Sequence, residues 1–257
     1  MSKKRGSGAD PMRRMALLWG SQTEAGRSGL TVKAVVTAAI EIADTEGMNA
    51  LSMRNIADRL KVGAMSLYTY IPGKTELIDL MIDRAYSELY QSVEEPSQQP
   101  GDWRDALRFI AQRNWELHQR HPWILRVITG RPTLGPHEAM KYEAELRPLD
   151  GLGLNDLEMD ATLTLILTHV EGCARSLALH QRTQDDSGLT DVEWWVTHAP
   201  LLDKLIDSSL FPVATRVGTT TGEEYQAIAN PKHLFTFGLE RILAGISELI
   251  PSQDNEA

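Results

Sequence analysis

Cysteine is nearly absent: Cys173 is the only one in 257 residues. It has no partner for an internal disulfide, and a zinc cluster built on cysteines is excluded. No run of about 18 apolar residues exists, so no membrane-spanning helix is expected. The greasiest stretch, 163–170, is broken by Thr and His. A secretory leader is not expected either. Lys3-Lys4-Arg5 is followed only by the short apolar piece at 15–19, below the roughly 7–15 residues such a leader needs. The expected compartment is the cytoplasm. Catalytic signatures are missing as well: there is no G-x-S-x-G, no H-E-x-x-H, no P-loop and no G-x-G-x-x-G in a strand–helix setting. His169 and Cys173 lie four apart on one helical face, but two ligands are too few for zinc. No cofactor and no metal are expected. Period-two alternation is also lacking, which removes strands from the reading.

What the chain does have is an uneven charge. The net is −9, yet residues 1–75 hold 11 Lys/Arg against 6 Asp/Glu, and residues 76–257 hold 15 against 29. A front of +5 on a body of −14 suggests a front that meets a polyanion; an accidental basic terminus is the other reading.

The periodicity predicts an all-α chain of about ten helices. Residues 1–30 read as a flexible basic arm, rich in Gly, Ser, Lys and Arg, with at most a short helical turn at 15–19. Thr31 is a fitting N-cap, and Val32, Val35, Val36, Ala39, Ile42 and Ala43 follow at helical spacing. Leu51-Ser52 opens a second helix, 64–70 is a short third, and a longer fourth runs from Lys74 to about Tyr90. Residues 91–101, with two prolines, read as a linker. Helices are then expected from Asp102 to the His121-Pro122 break, at 123–129, 137–149, 155–184, 190–210 with an interruption at Pro200, and 233–250. Residues 211–222 are Thr-rich and carry no period. The expected division is an arm at 1–30, a DNA-binding domain at 31–75, a ligand-binding and dimerisation domain at 76–250, and a tail at 251–257.

Residues 51–74 carry the functional signal. A helix, a tight turn and a one-to-two-turn helix make the helix-turn-helix arrangement, whose second helix fits the DNA major groove. Ser52 and Arg54 stand on the first turn of the leading helix, where Arg54 can reach a guanine bidentately. Ala64 and Met65 stand at readout positions, and Ser66 and Thr69 are small polar residues of the short helix that either meet DNA or are simply solvated. Tyr68 and Tyr70 either touch the DNA backbone or brace the short helix. Lys74 beside Gly73 suits a phosphate at a helix N-terminus.

The run from Val62 to Leu77 resembles the signature of TetR-type transcriptional repressors: Leu67-Tyr68, then Tyr70, then Lys74 to Leu77. Ala38-Ala39, Ala43, Gly47, Leu51-Ser52 and Ile56-Ala57 match the family's first two helices. Lys61 stands where the family commonly has Gly, and Gly63 where it has a Ser or Thr cap. Trp103-Arg104-Asp105, Gly130-Arg131-Pro132-Thr133 and 237–241 resemble the tetracycline-repressor-like C-terminal domains. Val127 stands where that subgroup's metal-binding His is expected. The resemblance implies a ligand-responsive regulator, released from a palindromic operator by a small effector. It also implies a homodimer through two long helices, near 161–179 and 235–250. A ligand-blind activator of the same fold, or an all-α small-molecule enzyme whose front helices are merely structural, are the alternatives.

An apolar Trp- and Met-containing core suggests a largely apolar effector. Its candidate contacts are Tyr86, Tyr90, Ile110, Asn114, His118 and His169. Asn114 interrupts an apolar stripe, so its amide either bonds to protein or faces a ligand. His169 either meets a ligand or packs in the core or a dimer interface.

Overall fold

The computed structural model describes residues 11–20 and 30–251, and every regular element among them is helical. The order is α1 (Pro11–Gly20), α2 (Val32–Thr45), α3 (Met53–Leu60), α4 (Ala64–Tyr70), α5 (Lys74–Tyr86), α6 (Trp103–Arg120), α7 (Ile124–Val127), α8 (Pro136–Leu146), α9 (Asp156–Ser187), α10 (Asp191–Leu205), α11 (Pro212–Tyr225) and α12 (Pro231–Ser247). Short 3-10 turns sit at Pro96–Gln98 and Arg147–Leu149. The described residues up to 163, with 250 and 251, form one compact unit; Thr164–Leu249 form the other.

Local chemistry sets the helix starts. The Thr31 hydroxyl accepts from the Ala34 N–H at 3.0 Å, and the Ser52 hydroxyl from the Asn55 N–H at 3.1 Å. Each supplies one of the acceptors that a helix N-terminus lacks. Asp102 with Asp105, and Asn155 with Glu158, form reciprocal caps at the starts of α6 and α9. The α2 stripe of Val35, Val36, Ala39, Ile42 and Ala43 is buried against Ile56, Leu67, Leu77 and Met81 from α3, α4 and α5. The expected boundary at 75/76 therefore falls inside this unit, because α5 runs through the core that closes the first three helices.

Lys61 ends α3 in the left-handed region, at φ 57° and ψ 41°. A side chain there costs roughly 1–2 kcal/mol, more than glycine's entropic cost of roughly 0.5–1 kcal/mol. Lys61→Gly is expected to stabilise the chain by about 0.5–1 kcal/mol and to raise Tm by about 1–4 °C. A thermal melt with unchanged or lower Tm contradicts this.

Four expectations are corrected. Of the arm at 1–30, residues 1–10 and 21–29 lie outside the described residues, but Pro11–Gly20 is a helix packed on α5. Leu18 is buried, the Arg14 Nε pairs with Asp79 at 2.7 Å, and the Trp19 indole donates to the Leu134 carbonyl at 3.0 Å. Burial pushes the Asp79 carboxyl up, and Arg14 opposes this only in part. The proposed linker at 91–101 is a folded turn: Pro96 is buried, and Pro96–Gln98 packs on α6. The fourth helix stops at Tyr86 rather than Tyr90, and the unperiodic 211–222 stretch is helical as part of α11.

In the second unit, the α9 residues Ile166, Val170, Cys173 and Ala174 are buried, as are Phe235, Leu239, Leu243 and Ile246 of α12. His169 stacks on Phe235 with centroids 6.3 Å apart. A Cβ on Gly238 would land on the His169 ring, so the two helices approach closely there. No residue of α10 is buried.

Candidate nucleic-acid interface and effector pocket

Helix α4 has two unlike faces. Leu67 is fully buried, and half-buried Ala64 and Tyr70 pack against the same core. Met65, Ser66, Tyr68 and Thr69 face outward, Met65 with 80% of its surface exposed. The exposed set offers a thioether, two hydroxyls and a phenol: apolar contact for a thymine methyl and hydrogen bonding for bases or phosphates. Arg54 is 87% exposed on α3, with only a loose 4.0 Å approach to Asp58, also exposed. It is free to reach a groove.

Three of the expected DNA contacts also hold the fold. Ser52 caps α3, and Tyr70 packs inward on the core of α2–α5. The Lys74 ammonium donates to the Leu51 carbonyl at 3.0 Å, bracing the α2–α3 connection. An ammonium has three donors, so Lys74 keeps two for a phosphate.

The expected pocket residues do not gather into one open site. Tyr86 and Tyr90 line a cavity with Val93, His137, Met140 and Lys141, of only about 40 Å³. That holds about a water molecule, not an effector of the 300–1,000 Å³ class. Ile110, Asn114 and His118 are buried along α6. The Asn114 amide is already satisfied: it donates to the Ile110 carbonyl at 2.9 Å and to Glu145 Oε1 at 2.7 Å. His169 lies in the second unit with its Nε2 3.0 Å from the Phe235 carbonyl oxygen, so its ring serves helix packing. A roomier apolar cleft, about 540 Å³, lies between α10 and α11, lined by Trp194, Trp195, His198, Leu202, Leu205 and Ile228 among others.

The polar centre of the first unit was missed from sequence. Glu145 of α8 is fully buried. It accepts from the Tyr90 hydroxyl at 2.8 Å and from Asn114, and its other oxygen pairs with Lys141 at 2.6 Å. Burial, and next the charge of Glu145, hold the Tyr90 phenol well above its usual value. Nearby, the buried Asp83 of α5 caps α8. It accepts from the backbone N–H groups of His137 and Glu138 at 3.0 and 3.1 Å, and meets His137 Nδ1 at 2.7 Å. A Cβ on Gly135 would collide with this carboxylate. Helix α5 thus begins at the Lys74 brace and ends tied to α8. Among the described residues, no three His, Cys, Asp or Glu gather to hold a metal, and no helix is long and apolar enough to cross a membrane.

The geometry of a short outward helix on a buried head agrees with the comparisons. Residues 35–81 match the family described as bacterial regulatory proteins, tetR family, and residues 95–250 match the tetracyclin repressor-like C-terminal domain. The HTH-type transcriptional repressor DrrR1 of Streptomyces coeruleorubidus is 39% identical over 261 residues, covering 98% of this chain and 91% of that protein. The structure of the Streptomyces coelicolor TetR family protein ActR in complex with actinorhodin superposes with a TM-score of 0.69 at 25% identity, covering 87% of this chain and 98% of that one. ActR in complex with (S)-DNPA gives 0.67 at 26% identity, over 85% and 98%. The chain belongs to the TetR family: it is a DNA-binding transcriptional repressor rather than an enzyme.

Proposed function

We propose that the outward face of α4, with Arg54, reads the operator, and that an effector releases it through α5. The observation that carries this is the division of α4: one face anchored in the core by Leu67, the other exposed and rich in groove-compatible groups. Met65, Ser66 and Thr69 meet bases, Ala64 allows close approach, and Tyr68, Tyr70, Ser52 and Lys74 meet the backbone.

The effector is read at the wall made by Tyr86, Tyr90, Ile110, Asn114 and His118. A buried cluster of coupled ionisable groups is where a functional site is expected, and the Tyr90–Asn114–Glu145–Lys141 network supplies one. The cavity there is small, so an effector of drug-like size must spread α5 from α8. Asp83 would carry that motion along α5 to Lys74 and Leu51. A ligand bound about 100-fold tighter by the spread form supplies roughly 2.7 kcal/mol of coupling. ActR, solved with actinorhodin and with (S)-DNPA, supports a small-molecule effector, here largely apolar.

The dimer pairs α9 and α12 with their copies. Leu165, Gly172 and Leu179 recur every seven residues on α9, and all three are exposed. Gly172 and Gly245 have open space above them, which permits close helix approach. Ala174 and Gly238, small residues of the same two helices, are occupied within the protomer. A two-fold pair sets two reading helices one helical turn of DNA apart, roughly 34–36 Å.

The test uses a duplex selected from a random-sequence pool by the wild-type chain. Arg54→Ala is expected to relax preference at one base position by about 1–3 kcal/mol. Lys74→Ala is expected to weaken all sequences alike and to lower the salt slope by about one unit. Failure to enrich any sequence, or two variants that bind like wild type, would sink the assignment of this head as the DNA reader.

A further inference from the structure

A second polar cluster ties the reading head to the end of α6, away from the exposed face of α4 and one turn beyond His118. Asp44 stands near the end of α2. Its Oδ1 accepts from the Trp123 indole N–H at 2.8 Å and lies 2.8 Å from His121 Nδ1. The other ring nitrogen of His121 faces Glu88 Oε2 at 3.3 Å, and the same oxygen accepts from Arg120 at 2.8 Å. Both His121 and Trp123 are buried, at 4% and 2% exposure. Burial pushes the Glu88 carboxyl up, but the hydrogen bonds from Arg120 and His121 outweigh it and hold it below its usual range.

Three elements meet here: the end of α2, the turn after α5, and the His121-Pro122-Trp123 corner that follows α6. The His121 N–H closes α6 on the Leu117 carbonyl, so this ring moves with that helix. Asp44 belongs to the head. Carboxylate acceptors of buried indole and imidazole donors are directional, charge-assisted contacts, and a buried donor left without its acceptor costs free energy. Hydrophobic packing alone is non-directional; an indole donor and an imidazole nitrogen converging on one carboxylate fix its position.

We propose that His121 and Trp123 are positioning residues for operator binding. They hold Asp44, and through it α2, so that the two heads of the dimer keep the spacing of successive major grooves. This rests on the reading of α3 and α4 as the DNA reader, but not on where the effector sits. It gives the end of α6 its own contact with α2, beside the tie that Lys74 makes at the start of α5.

The experiment places a spin label at Thr37→Cys, exposed on α2, in a Cys173→Ser background, and measures the inter-head distance in the full-length dimer without DNA. Operator affinity is measured on the selected duplex. The unmodified clamp should give a narrow distance distribution. Trp123→Phe keeps the ring and removes the donor; it should broaden the distribution and weaken operator binding about tenfold, with dimer and helix content unchanged. Asp44→Asn keeps an acceptor for the indole and should fall between. The double variant should add little to Trp123→Phe alone, as expected for residues acting on one contact. A merely structural loss would lower Tm without broadening the distances of the folded dimer. Should Trp123→Phe not fold, Asp44→Asn decides alone. Folded variants with wild-type distances and wild-type operator affinity would overturn the proposal. A wild-type chain that enriches no duplex would instead overturn the DNA reading on which it rests.

Discussion

Glu145→Ala is expected to cost about 3–5 kcal/mol of unfolding free energy, the range for removing one partner of a buried ion pair. The variant strands three donors at once: the Tyr90 hydroxyl, the Asn114 amide and the Lys141 ammonium. None of the three has free access to water, since Tyr90 and Lys141 are largely enclosed and Asn114 is buried. Glu145→Gln should be milder, because an amide oxygen can still accept from Tyr90 or Asn114 while the charge facing Lys141 is lost. Asn114→Leu should cost about 1–3 kcal/mol, as an acceptor loses its donor in a dry site. Denaturant titration of the three variants checks the order. A loss below about 1 kcal/mol in Glu145→Ala would mean that water reaches the network. Phenolate absorbance gives a second check. With the carboxylate gone, Tyr90 should ionise at lower pH than in the wild type, while remaining above the ordinary value because burial, the larger cause, persists.

Charging the α9 stripe is expected to have the largest effect on DNA binding. Leu165 and Leu179 are 51% and 61% exposed, two helical heptads apart in one line with Gly172. Leu165→Asp with Leu179→Asp puts four carboxylates into the proposed two-fold interface, close to Glu171. Light scattering should then report a monomer. A monomer presents one reading head, and the loss of the second, tethered half-site contact should weaken operator binding by about 10²–10⁴-fold. Neither substituted side chain is buried in the protomer, so helix content should stay the same. A double variant that remains dimeric would place the interface elsewhere.

The reading head was legible because its signals are local. Thr31 and Ser52 cap at the positions their side chains dictate, and the buried stripe of α2 is the one its spacing draws. The pocket was not legible in the same way. Glu145 sits in the run Lys141-Tyr142-Glu143-Ala144-Glu145, which looks like an ordinary solvated helix. Its burial is decided by Tyr90 and Asn114, 55 and 31 residues away in sequence. The one available clue was Asn114 on an apolar stripe, and the structure resolves it as a satisfied amide. His121-Pro122 announced a helix end but not the carboxylates that surround His121. Helix α11 was hidden by its threonines. Thr220 and Thr221 return their hydroxyls to the carbonyls of Arg216 and Val217, a back-bonding that pairs the hydroxyls inside the helix without improving its propensity.

Helix α10 has a thermodynamic consequence of its own. Its fifteen residues include Val192, Trp194, Val196, Leu201, Leu202 and Leu205, yet none is buried in the protomer. Short helices are marginal in water without a packed face, and here Pro200 also removes one backbone hydrogen bond from the interior. The amides of α10 should therefore exchange with solvent through local opening, at a free energy far below that of global unfolding. Those of α2 and α5, closed in the core of the first unit, should exchange only when that unit opens. A single melting temperature would then describe the head and leave α10 unmeasured.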